Sequence, residues 1–221
     1  VDSPLERKYF RPFGYAKYRD CILDQVTKVV QLQRNPAVDA LFAEFNQSQD
    51  AFPALQTLLS LIMKKVRYLE YDRKVFRPPT YERLIGLCGE LSGLYEKLVR
   101  VSVGVEEIID GRQVDYVELA TRSLGSNVNM LMRRRPLLAK CFSTTIRNAV
   151  AHRSYYVRLS DASIAFVDRK SQKTLSAREF VSYLRTLSVA VAALALTQVA
   201  FGHARWKATW DYYGQVRAGK P

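Results

Sequence analysis

Residues 146–167 read IRNAVAHRSYYVRLSDASIAFV, and the hydrophobic period changes in the middle of the run. Up to His152 the apolar residues recur at helical spacing. After it, residues 155–159 and 164–167 are β-branched and aromatic runs, and Ser160, Asp161, Ala162 and Ser163 lie between them as a turn. The pattern predicts a helix followed by a small β-hairpin. Upstream, Pro136 suits a first helical position, so the helix is predicted over 136–152. At roughly 100° per residue, Leu138, Ala139, Phe142, Ile146, Ala149 and Val150 form its core face. Cys141, Thr144, Asn148 and His152 fall on the other face. Arg147 lies on the flank, roughly 140° of arc from His152, within reach of a long guanidinium.

Helical periodicity dominates the rest of the chain. Helices are predicted over 15–34, from Pro36 to Gln47, over 53–71 and over 80–109. Arg77-Pro78-Pro79-Thr80 forms the break before the last of these. Gly86, Gly89, Gly93 and Gly104 sit inside that long helix and would permit close packing. Asp115 and Glu118 have capping-box spacing, and the helix they open is predicted to end in Arg133-Arg134-Arg135. Ser176 and Glu179 form a second capping box, opening a last helix to about Phe201. A tail follows with Trp206, Trp210 and Tyr213 on one helical face. KYFRPFGY at 8–15 and KVFRPPTY at 74–81 are a short internal echo. The expected fold is all-α: a helical bundle with an N-terminal helical extension and one small β-hairpin. The expected divisions are 1–75, 76–205 and 206–221.

The chain has 221 residues, is 48% hydrophobic and carries a formal net charge of +13. A field of that size favours a polyanionic partner. Three cysteines, Cys21, Cys88 and Cys141, are widely spaced and odd in number, which argues for a reducing cytoplasm and against a disulfide framework. Zinc-ligand spacing is absent, and neither a metal nor another cofactor is expected. The most apolar stretch, 186–201, is shorter than the ~20 residues of a membrane span, so no membrane partner is expected. The chain begins with Val rather than Met, as a processed or excised piece of a longer protein would.

His152 is one of two histidines in the chain, and the side chain whose ordinary titration range lies nearest neutrality. On these residues alone, a helix end whose His and Asn cap backbone carbonyls stands beside a catalytic reading. The order of elements adds to the second. Arg147-Asn148-Ala149-Val150-Ala151-His152, then a hairpin, then a capped apolar helix, resembles the HEPN superfamily over roughly residues 80–201. That resemblance implies an all-α domain and, in many members, a metal-independent ribonuclease whose R-x4–6-H motif works in a cleft between two protomers. It places Arg147 and His152 as the motif pair, with Asn148 as the polar residue after the Arg. Members paired with a nucleotidyltransferase-type antitoxin usually carry H-x-Y. Here the third position is Ser154, with Tyr155 and Tyr156 following.

Metal-free RNA cleavage needs a base for the ribose 2′-hydroxyl, an acid for the leaving 5′-oxygen and cations for the transition state. One chain offers one suitable His, and a two-fold dimer offers two. His152 is expected to act as general acid or base, Arg147 to stabilise the phosphate, and Asn148 to orient substrate or His. Arg133, Arg134, Arg135, Arg153, Tyr155 and Tyr156 are expected to meet RNA. The expected function is therefore an endoribonuclease leaving a 2′,3′-cyclic phosphate. It would act as a homodimer in a defence or toxin setting, with an antitoxin or regulatory protein as a further partner. The alternatives are an inactive RNA- or nucleotide-binding module and a dimerisation platform.

Overall fold

A computed structural model of the chain describes residues 15–31, 36–47, 78–169, 171–195 and 215. Two helices, α1 (Tyr15–Gln31) and α2 (Pro36–Gln47), pack on a long third, α3 (Pro78–Ile109). Four short helices follow: α4 (Tyr116–Thr121), α5 (Leu124–Arg134), α6 (Pro136–Lys140) and α7 (Thr144–Ala151). Three strands then form one antiparallel sheet in the order β1 (Tyr155–Arg158), β2 (Ser163–Asp168), β3 (Ser171–Ser176). A last helix, α8, covers residues 177–195. The predicted helix at 53–71, the 8–14 half of the echo and the aromatic tail lie outside the described residues.

α3 is the axis of the bundle. Its apolar positions are buried from Tyr81 to Ile108, and α1, α2, α4, α5 and α7 all pack against it. Its glycines play different parts. A Cβ on Gly104 would lie 2.8 Å from Leu119 Cδ1 and 3.0 Å from Leu41 Cδ2, so the missing side chain lets α2 and α4 close on the axis there. Gly86 and Gly93 face open space.

Two predicted helices are broken. The capping pattern at Asp115 opens only α4: Asp115 accepts from the Val117 N–H at 2.8 Å, while Glu118 bonds Arg122 in place of the cap backbone. Ser123 then caps α5, accepting from the Ser126 N–H at 3.2 Å. Likewise the helix predicted over 136–152 is interrupted at residues 141–143, where Ser143 restarts it as the N-cap of α7. Cys141, expected on the polar face, is buried as a result.

The sheet also corrects the prediction, because a third strand accompanies the expected hairpin. β3 reads SQKTLS; as an edge strand it leaves its first four residues exposed, and Leu175 alone of the six packs on the core. Its apolar alternation is correspondingly faint. β2 is the buried middle strand and packs on α7. Beneath it the Phe166 and Phe180 rings meet at 5.2 Å. The Ser176 capping box forms as expected: Glu179 accepts from the Ser176 N–H at 2.8 Å, and the Glu179 N–H donates to Ser176 Oγ at 3.3 Å. The fold is mainly α with a small three-stranded sheet. Among the described residues, no helix is long and apolar enough to cross a membrane.

The two environments on α3 give the same class of substitution opposite signs. Gly93→Ala should raise stability by about 0.5–1 kcal/mol through helix propensity. Gly104→Val should lower it by about 1–3 kcal/mol through overpacking against Leu41 and Leu119. Thermal denaturation of the two variants beside the parent chain checks both.

Candidate active site

The site is built on α7, and α3 positions that helix. Tyr95 of α3 is fully buried, and its hydroxyl donates to the Leu138 carbonyl of α6 at 2.7 Å. Its ring stacks on Phe142 at 4.4 Å, with 6° between the planes. The Cys141 thiol donates to the same carbonyl at 2.8 Å. These contacts fix the corner between α6 and α7. Ile146 and Ala149 of α7 are fully buried, which turns Arg147, Asn148 and His152 toward its open side.

From the corner the polar groups run as a chain. Glu96, the residue after Tyr95, accepts from Arg147 at 2.7 Å and from Arg100, one turn along α3, at 3.2 Å. Arg147 also donates to Asn148 Oδ1 at 3.0 Å. The Asn148 amide then donates to Asp168 Oδ2 of β2 at 2.8 Å. The Arg147 guanidinium thus reaches round its helix to the Asn148 face. A guanidinium has about five N–H donors, so two contacts leave it further capacity. Asn148 is oriented from both ends, its oxygen by Arg147 and its amide by Asp168. The sequence reading missed Glu96, Arg100 and Asp168. Glu96 and Arg100 have the i,i+4 spacing of a helical ion pair, a signal too common to single them out.

His152 is the C-cap residue of α7. Its backbone N–H donates to the Asn148 carbonyl at 2.9 Å, while its side chain is exposed and makes no hydrogen bond among the described residues. Capping therefore uses the backbone of His152 and leaves the imidazole to solvent. Arg153 follows with φ 54°, and Ser154 joins the sheet, its Oγ donating to the Val167 carbonyl at 2.5 Å. Tyr155 is half-buried against the core. Tyr156 is exposed, with the Arg158 guanidinium 5.6 Å from its ring centre.

The arginine triplet divides. Arg133 is exposed. Arg134 pairs with Asp110 and holds that carboxyl below the usual range. Arg135 turns inward, donating to buried Glu106 at 2.6 Å and to Asp24 of α1 at 2.7 Å. Of the three arginines expected to meet RNA, Arg135 is thus engaged in joining α1 to α3, because burial of Glu106 demands a cation. Burial pushes the Cys88 and Cys141 thiols up to about 12, so both stay protonated at neutral pH and neither is a ready nucleophile. All three cysteines are free. Among the described residues, no group of three or more His, Cys, Asp or Glu could hold a metal ion.

Comparison with family models, with curated proteins and with solved structures finds no match to the chain.

Arg135→Ala should cost about 3 kcal/mol, since it leaves Glu106 buried without its partner. Arg133→Ala should change stability by less than about 0.5 kcal/mol. Urea denaturation midpoints separate the two. The same contact responds to acid. Hydrogen bonds from Lys28 and then Arg135 hold the Asp24 carboxyl below its ordinary value. A carboxyl lowered by folding stabilises the fold above its ordinary value and loses that contribution as pH falls through the lowered one. The hydrogen-exchange protection of α1, measured relative to the intrinsic exchange rate at each pH, should therefore fall on acidification, and less so in Asp24→Asn.

Proposed function

We propose that the protein is a metal-independent endoribonuclease that works as a homodimer, with His152, Arg147 and Asn148 of two copies facing one cleft. The observation that carries this reading is the exposed His152 imidazole at the end of α7. It stands one turn beyond an Asn148 side chain oriented from both sides and bonded to Arg147. The HEPN-like order of motif helix, strands and capped helix supports it, as does the net charge of +13.

In the proposed reaction one His152 takes the proton of a ribose 2′-hydroxyl as its oxygen attacks the adjacent phosphorus. The bond from phosphorus to the 5′-oxygen breaks, and the second copy's imidazole supplies that oxygen with a proton. The products are a 2′,3′-cyclic phosphate and a free 5′-hydroxyl. Arg147 offsets the charge that grows on the phosphoryl oxygens, and Asn148 positions one of them. We place this activity in the cytoplasm, in a defence or toxin setting with a protein that restrains it.

Glu96 favours a second reading. Its carboxylate is shared between Arg147 and Arg100 and offsets part of the charge that a transition state would use. A site so balanced would suit a module that holds RNA without cleaving it.

Incubation of the purified chain with single-stranded RNA decides between them. Cleavage should proceed in EDTA and leave cyclic phosphate ends. His152→Ala should slow it by about 10²–10⁴-fold with the fold intact, because the side chain is exposed. Arg147→Ala should also abolish cleavage and should weaken binding as well. Cleavage as fast in His152→Ala as in the parent chain, or activity that returns only with Mg²⁺, overturns the proposal. Salt-sensitive binding with the RNA recovered intact establishes the binding module.

A further inference from the structure

The tightest turn of the sheet lies beside the polar chain and is held there. Asp168 of β2 pairs with Ser171 of β3, so the hairpin closes on two residues, the first of them Arg169 at φ 49°. Two-residue hairpin loops need a positive φ at their first central residue, a position that favours Asn or Gly. Both stems are tied to α7. Asp168 accepts from Asn148 at 2.8 Å, and the Ser171 and Thr145 hydroxyls are 3.3 Å apart. Thr145 and Asn148 are three residues apart, neighbours on one face of that helix. The Ser171 hydroxyl closes the turn on itself, donating to the Asp168 carbonyl at 3.0 Å.

The other junction at this end of the sheet repeats the pattern. Arg153 follows the C-cap of α7, where a left-handed residue is usually Gly or Asn, and it adopts φ 54°. Ser154 bonds Val167 through both backbone and hydroxyl, which sets Arg153 at the same end of β2 as Asp168 and Arg169. Two exposed arginines therefore occupy left-handed positions that would suit glycine, one next to His152 in the chain and the other next to Asp168, the residue that binds Asn148. Neither takes part in an ion pair among the described residues, whereas Arg122, Arg134, Arg135 and Arg147 all do.

We propose that Arg153 and Arg169 form a phosphate clamp at the sheet end of the site, gripping the backbone of single-stranded RNA on either side of the phosphate that Arg147 meets. The clamp rests on the reading that this face receives RNA. Its rigidity comes from the stems: with Asp168 and Ser171 bonded to α7, Arg169 keeps its place relative to Asn148 while the strand is bound. Phosphate contacts of this kind fix the register of a strand without reading its sequence.

The test uses the full chain and a labelled single-stranded RNA whose 2′-hydroxyls are methylated, so that it binds without being cleaved. For each lost phosphate contact on a single strand, the slope of log affinity against log salt should fall by about 0.7. Affinity near physiological salt should then fall roughly fourfold. Arg153→Gly and Arg169→Gly should each show both losses, and the double variant roughly their product. Glycine relieves the backbone at these positions, so the melting temperature of Arg169→Gly should hold or rise, which separates lost contact from lost fold. Parental affinity and slope in Arg169→Gly overturn the clamp, even where unmethylated RNA is cleaved in a His152-dependent way. Lowered slopes in a chain that cleaves nothing retain the clamp and remove the ribonuclease reading. Failure of the parent chain to bind RNA overturns both.

Discussion

The Tyr95 hydroxyl, buried in the middle of α3, needs an acceptor, and the Leu138 carbonyl of α6 supplies it. An unmet buried hydroxyl would cost on the order of 1–3 kcal/mol, so this pairing strongly constrains how the second half of the chain meets the first. With Phe142 stacked on the same ring, the chain turns at residues 141–143 and α7 begins afresh from Ser143. The next residue along α3 is Glu96. Neighbouring residues on a helix point about 100° apart, so the one that anchors the corner inward is followed by one at the margin, within reach of Arg147. Packing and chemistry are thus coupled through two adjacent positions. Whatever moves the corner also moves the guanidinium.

The sequence discloses the helical period of α3 and α7, the change to strands after His152 and the Ser176 capping box, because each is written in local spacing. It hides what depends on distant partners. The break after Lys140 cannot be read from PLLAKCFSTTIRNAVA, whose apolar residues keep helical spacing throughout; Tyr95 and Ser143 impose it from tertiary contact and capping. β3 is hidden for the opposite reason. An edge strand with one apolar residue in six has little alternation to show, and its partner β2 supplies the order. At the site, Arg147, Asn148 and His152 are legible as a motif, whereas Glu96 and Asp168 lie 51 and 20 residues from the groups they bind. Nothing in their local sequence marks them.

Net charge is a statement about the whole molecule, and the ion pairs show where that charge is free to act. Arg135 lies between Glu106 and Asp24, Arg122 between Glu107 and Glu118, and Arg134 on Asp110. These pairs gather where α1, α4 and α5 meet the end of α3, so basic residues there work as internal fasteners. Their fields are largely cancelled within a few ångströms, well inside a Debye length of about 8 Å. The sheet end of α7 differs. Arg153 and Arg169 are exposed there, beside a polar chain in which Glu96 faces two guanidiniums and Asp168 faces the Asn148 amide. A polyanion approaching the molecule would feel this end more than the arginine triplet, although the triplet is the densest basic cluster in the sequence.

That distribution bears on what Glu96 does. Under the proposed function, a carboxylate beside the arginine that would meet phosphate looks self-defeating, since it offsets part of the charge. The geometry gives it a different weight. Glu96 takes one hydrogen bond from Arg147 and one from Arg100, so a single negative charge is divided between two positive ones and the trio remains cationic. What the carboxylate adds is direction: it fixes one edge of the Arg147 guanidinium, Asn148 takes a hydrogen bond from another N–H, and the donors that remain have a defined heading. Arginine has about 2 kcal/mol of rotamer entropy to lose when it is ordered on a ligand, and here most of that ordering is complete before any ligand arrives. A small loss of charge is exchanged for a guanidinium already aimed. Arg153 and Arg169, whose side chains have no such anchor but whose backbones are held beside the sheet, keep their charge and, under the proposed clamp, would supply the attraction at longer range.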